Sequence, residues 1–386
     1  MAEIESALRG RGHEIVPLKD KPELCIINTC SVTSKSDYES RQMIRRAKRV
    51  GAKVLVTGCY SELNKDSVRA MGVEDIISNL NKDNYINGLS VGSKSKGLSL
   101  LEKSRYILKI QDGCNSSCSY CIIPKARGRS RGMEPSKVIE RVRLAEEAGY
   151  KEVVLSGIHL GQYGNLTKLI EGILRETNIP RIRLSSLEIG EVDDALLEVF
   201  KESRLCRHLH IPIQSGDDTI LRAMNRRYNI EEFSKRIFNI VKRFPDIALG
   251  TDVIVGFPGE GEEEFENTYR VLESLPFSYF HVFPYSQRKG TPASKMGPEV
   301  GSREKSLRAK RLRDLSLSKK TRYQMSQIGR TLDIIIEERV GSGICRGTSS
   351  NYLKVQFPDS GMSIGNLILV RIEGLSDGVL FGVPVN

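Results

Sequence analysis

Apolar runs of four to eight residues recur along most of the chain, each closed by a glycine, a cysteine or a short polar cluster. The segments between them carry apolar residues at helical spacing, so strands and helices are expected to alternate. Near the start, Leu24–Thr29 leads into Cys30 and Lys53–Gly58 leads into Cys59, with the basic helical stretch Asp37–Val50 between them. Residues 1–16 read as an amphipathic helix, with Ile4 and Leu8 one turn apart and Gly10 and Gly12 as stops, followed by a short strand over Glu14–Val16. An α/β domain usually opens on a strand that such a helix follows, so the first strand of this domain is expected to be missing.

From Arg105 to Ser286 the alternation is strict. The expected strands are Tyr106–Gln111, Glu152–Ile158, Arg181–Leu187, His208–Ile213, Ala248–Val255 and Tyr279–Tyr285, with helices such as Pro135–Ala148, Asp193–Glu202 and Glu262–Ser274 between them. Six βα units argue a parallel sheet closed into a partial barrel, with chemistry at the carboxyl ends of the strands. Gly88–Lys103 has a linker's composition, and 302–325 is a basic helix that reads as a strut between domains or as a contact to an RNA backbone. Beyond Gln327, Thr331–Glu337, Tyr352–Gln356, Leu367–Ile372 and Gly378–Gly382 are short strands with glycine turns, which suggests a small β-barrel. The fold class is therefore α/β: a truncated flavodoxin-like parallel-sheet domain over residues 1–98, a central (β/α)6 partial barrel with its basic helix over 104–325, and a C-terminal β-barrel over 326–386.

Composition narrows the class. No apolar run is long enough to cross a bilayer, and the acidic start Met1-Ala2-Glu3-Ile4-Glu5 lacks the core of a secretory signal. Eight cysteines, clustered rather than spread, suggest metal ligation in a reducing cytoplasm instead of a disulfide framework. Lys plus Arg is 59 against 48 acidic residues, a net +11, which fits either a polyanionic partner, most often nucleic acid, or simple solubility.

The densest chemistry is Gly113-Cys114-Asn115-Ser116-Ser117-Cys118-Ser119-Tyr120-Cys121, placed directly after the first barrel strand. Three thiolates at this spacing suit an iron–sulfur cluster with one iron left open. Zinc is the other metal that thiolates favour, but it normally takes a fourth ligand at short spacing, and none of the five histidines is near. Cys30 and Cys59, at the carboxyl ends of successive parallel strands, fall where open α/β sheets place their ligands. Cys25 lies an odd number of residues before Cys30 and reads as a core residue on the opposite face. At the barrel strand ends stand Gly157, His159 and Gly161, then Ser185, Gln214 and Gly256-Phe257-Pro258-Gly259; small and polar residues gathered there suit a cofactor pocket, although glycines also serve turns and a histidine also packs.

The cysteine spacing, with aromatic Tyr120 before the last cysteine, resembles the radical S-adenosylmethionine superfamily. The resemblance implies that Cys114, Cys118 and Cys121 hold a [4Fe–4S] cluster whose open iron chelates S-adenosylmethionine, with Tyr120 against the adenine and Gly157, Ser185, Gln214 and Asp252 binding the cofactor. Ile27-Asn28-Thr29-Cys30, Thr57-Gly58-Cys59, Pro212-Ile213-Gln214-Ser215-Gly216, Asp252–Gly259 and Tyr285-Ser286 are together similar to the methylthiotransferase family. That family implies a second [4Fe–4S] cluster on Cys30 and Cys59; its third cysteine precedes the first helix and has no counterpart here. It also implies two S-adenosylmethionine molecules, one methylating the sulfur and one supplying the radical. Ile122-Ile123-Pro124, Ala126–Arg131 and Gly157–Leu160 are similar to the branch that modifies threonylcarbamoyladenosine in tRNA. The implied enzyme is a cytoplasmic monomer, taking tRNA and a reductant protein as partners and no membrane. Isopentenyladenosine, a ribosomal protein, or RNA binding with a cluster that is only structural or redox-sensing are the alternatives. The terminal barrel resembles the RNA-binding TRAM module, yet its charges nearly cancel, so phosphate attraction is expected mainly from Arg41–Arg49 or from the Arg303–Arg322 helix.

Overall fold

The computed structural model describes residues 2–82, 84–85, 88, 104–341, 343–359 and 361–385. Most of the expected linker, Gly88–Lys103, lies outside the described residues. The chain forms two compact units, one of Met1–Ser99, Gly113–Ser130 and Ser286–Lys295, the other of Leu100–Asp112, Arg131–Tyr285 and Met296–Asn386.

The first unit is built on three parallel strands, β1 (Leu24–Thr29), β2 (Lys53–Gly58) and β3 (Asp75–Ile77), in that order. Its helices are α1 (Ala2–Arg9), α2 (Ser34–Arg49), α3 (Cys59–Leu63), α4 (Lys65–Arg69) and, from the later segment, α5 (Ile123–Arg127). A capping box at Thr33 and Ser36 starts α2, and its inner stripe buries Ile44 and Ala47 against Ile27, Val54, Val56, Tyr60 and Val68. Cys25 packs against this core, and burial pushes its thiol up, as a core cysteine requires. The opening differs from expectation. The first helix does end at Arg9, at its expected glycine stop, but Glu14–Val16 is no strand: three residues ahead of Pro17 find no ladder partner among the described residues and run instead into a 3-10 turn at Leu18–Asp20.

In the second unit the six expected barrel strands are all present, each close to its expected bounds. β4 (Tyr106–Lys109), β7 (Glu152–Ser156) and β8 (Arg181–Leu184) form one parallel run; β9 (His208–His210), β10 (Ala248–Val255) and β11 (Tyr279–Pro284) form the next. A parallel bridge from Ile182 to Leu205 lies between the two runs, and β5 (Gln111–Asp112) pairs antiparallel with β6 (Arg131–Gly132). The helices are α6 (Pro135–Glu147), α7 (Leu166–Glu176), α8 (Asp194–Val199), α9 (Asp218–Ala223), α10 (Ile230–Arg243) and α11 (Glu262–Ser274). Asn165, Asp193, Asp217 and Asn229 cap four of them by accepting backbone N–H groups, which fixes where each strand-end loop stops.

α12 (Ser302–Met325) packs on this barrel as a strut. Arg308 pairs with Glu260 at 2.8 Å and Glu304 at 3.0 Å, and the Lys319 ammonium donates to the carbonyls of Glu273 and Leu275, both at 2.8 Å. Burial, helped by neighbouring Arg322, pushes Lys319 down to about 8.

The C-terminal barrel is closed, in the order β12 (Thr331–Arg339), β13 (Ile344–Ser349), β14 (Lys354–Pro358), β16 (Val379–Val385), β15 (Leu367–Ser376). β13 was not expected, because Ile344-Cys345-Arg346-Gly347-Thr348-Ser349 is short of apolar residues and broken by a glycine. Gly347 is needed there: a Cβ would lie 2.2 Å from the Ile335 carbonyl oxygen. Carbonyls of this barrel dock on the first residues of the central strands. Arg183 donates to the Ser349 and Ser350 oxygens at 3.0 and 2.9 Å while holding Glu152 bidentately at 2.8 and 3.2 Å, and Arg181 pairs with the same carboxylate at 2.6 Å. The small barrel thus closes the amino end of the partial barrel, leaving the carboxyl end for chemistry. Among the described residues no helix is long and apolar enough to cross a membrane.

Candidate active site

Gly113–Cys121 is a loop held at several points of its backbone, all within the first unit. Cys114 N donates to the Gly128 carbonyl at 3.1 Å, Ser130 N to the Asn115 side chain at 3.0 Å, Ala293 N to the Ser119 carbonyl at 2.8 Å, and Cys121 N to the Cys118 carbonyl at 3.1 Å. Gly113 sits at φ 74° with the Arg129 carbonyl oxygen 2.1 Å from where a Cβ would stand, so only glycine lets the loop return so closely. Cys114, Cys118 and Cys121 are half-buried on this fixed backbone. A donor set of three cysteine sulfurs on a rigid loop fits a thiolate-held iron–sulfur cluster.

Cys30 and Cys59 belong to the same unit. β1 and β2 pair in register up to Thr29 and Gly58, so the two cysteines directly follow paired ends of adjacent strands. A Cβ on Gly58 would lie 2.2 Å from the Thr29 carbonyl oxygen, which is why a glycine precedes Cys59. Cys30 is exposed and Cys59 buried. Arg127, on α5 directly after the three-cysteine loop, donates from Nε to Cys59 Sγ at 3.2 Å, and Asn79 ties the same helix down by donating to the Ala126 carbonyl at 2.8 Å. The Cys30 loop is pinned in turn by Arg288, whose guanidinium holds Asp37 at 2.6 Å and the Ser34 hydroxyl at 2.9 Å. Arg127 stands in the sequence only as a member of the Ala126–Arg131 motif, and nothing local marks either arginine as a support for a distant cysteine.

Of the remaining expected residues, Tyr120 lies in the three-cysteine loop of the first unit, and Gly157, Ser185, Gln214 and Asp252 lie in the second unit toward the carboxyl ends of its strands. Gly157 leaves room for Gln111, whose side-chain oxygen would be 2.8 Å from a Cβ there and accepts from His159 N at 2.9 Å. Gly161 does the same for Glu191, which pairs with the His159 ring; His159 is thus a packed, hydrogen-bonded histidine. Gln214 takes φ 64°, rare for a side-chain-bearing residue, and exchanges backbone bonds with Asp252 O at 2.9 Å and Ile254 N at 2.8 Å. Ser185 Oγ and the Tyr285 hydroxyl, both at strand carboxyl ends, are buried with no hydrogen-bond partner among the described residues. Unsatisfied hydroxyls at this end suit a polar cofactor such as S-adenosylmethionine, which would satisfy them.

Asp252 has neighbours the sequence did not announce. His210 Nε2 lies 3.0 Å from its carboxylate, and a ring nitrogen of His281 is within 4.8 Å of both, all three on adjacent parallel strands and one face. Burial lowers the His281 imidazole below its ordinary value against the pull of Asp252, with His210 adding to the decrease. His208, His210, Asp252 and His281 share one face of β9 to β11, which alternation alone shows without saying that they meet.

Residues 108–272 match the radical SAM superfamily, and residues 1–78 match the uncharacterized protein family UPF0004. The chain is 38% identical to the threonylcarbamoyladenosine tRNA methylthiotransferase of Bacillus subtilis over 94% of this chain and 88% of that protein. It is 35% identical to the enzyme of the same name from Aquifex aeolicus, over 94% of each. Among solved structures, the radical S-adenosylmethionine methyltransferase TsrM from Kitasatospora setae shares the fold, with a TM-score of 0.58 and 14% identity over 76% of this chain and 73% of that one. On the cysteine loop, the paired strand-end cysteines and this extent of identity, the chain belongs to the threonylcarbamoyladenosine tRNA methylthiotransferase family of radical S-adenosylmethionine enzymes.

Proposed function

We infer that this protein inserts a methylthio group at carbon 2 of N6-threonylcarbamoyladenosine next to the anticodon of tRNA. The observation that carries the reading is the gathering of both cysteine sets in one compact unit, with Arg127 running from the three-cysteine loop's own helix to Cys59. An aromatic C–H at carbon 2 offers no proton that a side-chain base can remove at neutral pH, so polar acid–base chemistry is closed to the site. Bound [4Fe–4S] clusters and S-adenosylmethionine supply the radical and the sulfur that the reaction needs.

The chain's own residues hold and orient these groups. Cys114, Cys118 and Cys121 ligate the radical-generating cluster, and Cys30 with Cys59 ligates the auxiliary one. Tyr120 binds the adenine; Gly157, Ser185, Gln214 and Asp252 bind S-adenosylmethionine, Ser185 through its unsatisfied hydroxyl. The partners are tRNA and a reductant protein of the cytoplasm, and the working unit is a monomer.

Two measurements test this reading. Nucleoside analysis of tRNA from a deletion strain should show loss of the 2-methylthio form of threonylcarbamoyladenosine and no other change; its persistence, or loss of an isopentenyl product instead, would overturn the assignment. Reconstituted protein should carry about eight irons, falling to about four in the Cys114/Cys118/Cys121→Ala variant, and about four falling to none would remove the auxiliary cluster.

A further inference from the structure

The basic stretches of the sequence are not equal once their partners are seen. In the terminal barrel Arg339 pairs with Asp359, Arg346 with Glu338, Lys354 with Glu337 and Arg371 with Glu373. On α12, Lys305, Arg308, Lys310 and Arg311 pair with carboxylates and Lys319 with carbonyls, which leaves Arg303, Arg313, Lys320 and Arg322, with no exposed aromatic on the helix beside them. The field of the terminal barrel is largely cancelled at its source, and that of α12 is cancelled in part.

α2 differs. Its ion pairs, Lys35 with Glu39 and Asp37 with Arg288, fall in the first turns, and Arg41 is turned onto the Tyr60 ring, 5.6 Å from its centroid. Arg45, Arg46 and Arg49 are exposed and Lys48 half-buried, and none of the four has an ion-pair partner among the described residues. Tyr38, Gln42, Arg45 and Arg49 follow one another at helical i+4, i+3, i+4 steps, a stripe about 16 Å long, with Arg46 beside it. Tyr38 and Met43 on this surface are 55% and 53% exposed. Cations in a last turn also complement the helix dipole. That accounts for Lys48 and Arg49 but not for an aromatic ring and a thioether left bare in the preceding turns.

We propose that this stripe of α2 is where the phosphate backbone of the substrate RNA docks, with Tyr38 placed to stack on a base, and that α2 supplies most of the salt-dependent affinity. A cationic row interleaved with an exposed aromatic is the chemistry that tracks RNA. The proposal rests on tRNA being the substrate, as inferred above.

The test is fluorescence anisotropy of a labelled anticodon stem-loop carrying threonylcarbamoyladenosine, titrated with reconstituted full-length protein between 50 and 200 mM KCl. Arg45→Gln/Arg46→Gln/Arg49→Gln should weaken binding by about tenfold or more and flatten the log–log salt slope by about 2, at roughly 0.7–0.9 per lost phosphate contact. The same variant should still form 5′-deoxyadenosine from S-adenosylmethionine with dithionite and no RNA, which shows that it folds and holds its cluster. Lys354→Gln/Arg371→Gln should change binding by less than about twofold, since those cations are already paired. Unchanged affinity and slope in the triple variant overturns the proposal. So does normal RNA binding with turnover lost only when a protein reductant replaces dithionite, which would assign the stripe to an acidic protein. If the wild-type protein cleaves S-adenosylmethionine but binds no stem-loop, it is the substrate reading that fails.

Discussion

Arg127 Nε donates to Cys59 Sγ across 3.2 Å, joining the short helix after the three-cysteine loop to the cysteine that ends the second strand. A guanidinium beside a sulfur favours the thiolate, the form that binds metal, and its planar fork fixes the direction of the bond. Arg127→Ala should therefore lose the iron held at Cys30 and Cys59, about four per chain, while 5′-deoxyadenosine formation survives. Arg127→Lys, which keeps the charge without the fork, should fall between. Iron and sulfide analysis of the reconstituted variants decides it, and full iron in Arg127→Ala would mean that the contact only packs the helix.

Gly113 gives a sharper expectation for the other cysteine set. Its left-handed φ of 74° costs a side-chain-bearing residue about 1–2 kcal/mol, and the Arg129 carbonyl oxygen would meet the new Cβ at 2.1 Å. Backbone must shift, and the loop's cysteines shift with it. Gly113→Ala is expected to retain its circular dichroism spectrum but to lose most of the 5′-deoxyadenosine yield. A variant with wild-type yield would show that the loop reaches its geometry by another path.

The legible parts of this molecule were those written locally. Cys114, Cys118 and Cys121 announce themselves by spacing, and the six barrel strands by apolar runs with polar ends, so both were found within a residue or two at most ends. Glu14–Val16 misled because alternation signals a strand only where a partner exists. β13 was missed because its pairing with β12 and β14, not its own composition, makes it a strand. Arg127, Arg288 and His281 act on residues far along the chain, and a side chain's distant partner has no local signature. The basic helix α12 was ambiguous for the same reason: whether Arg308 faces Glu260 or solvent is decided by the fold alone.

Glu152 lies at the amino end of the central barrel, fully buried between two arginines. Burial pushes its carboxyl up, but Arg183, Arg181 and then Arg105 outweigh burial and hold it below the ordinary value of 4.5. A depressed carboxyl contributes stability that is complete above its unfolded value and is lost as pH falls through its folded value. The pair of arginines should therefore begin to cost stability only below about pH 4.5. Glu152→Gln leaves two buried guanidiniums short of charge and should cost about 3–5 kcal/mol at pH 7, while flattening the loss of stability in acid. Urea denaturation at pH 7 and pH 4 measures both, and a cost under about 1 kcal/mol would place the ion cluster in contact with water.

Tyr352 closes the same end from the other side. Its ring stacks on His208 at 4.5 Å and lies under the Arg183 guanidinium at 5.2 Å, although its backbone sits at φ 66°. Burial, with Arg183 and His210, drives the His208 imidazole well below its ordinary value, so the ring that Tyr352 covers is neutral. Removing the tyrosine ring forfeits a stack and a cation–π contact, together about 2–3 kcal/mol. Alanine loses the ring and keeps the left-handed penalty. Glycine loses the ring but relieves that penalty, about 1–2 kcal/mol, against about 0.4–1 kcal/mol of added unfolded-chain entropy. Tyr352→Gly should accordingly be more stable than Tyr352→Ala by about 0.5–1 kcal/mol, with both below wild type. The reverse order would show that Tyr352 adopts an ordinary backbone in solution, and two variants as stable as wild type would show that the ring does not fasten the terminal barrel to the central one.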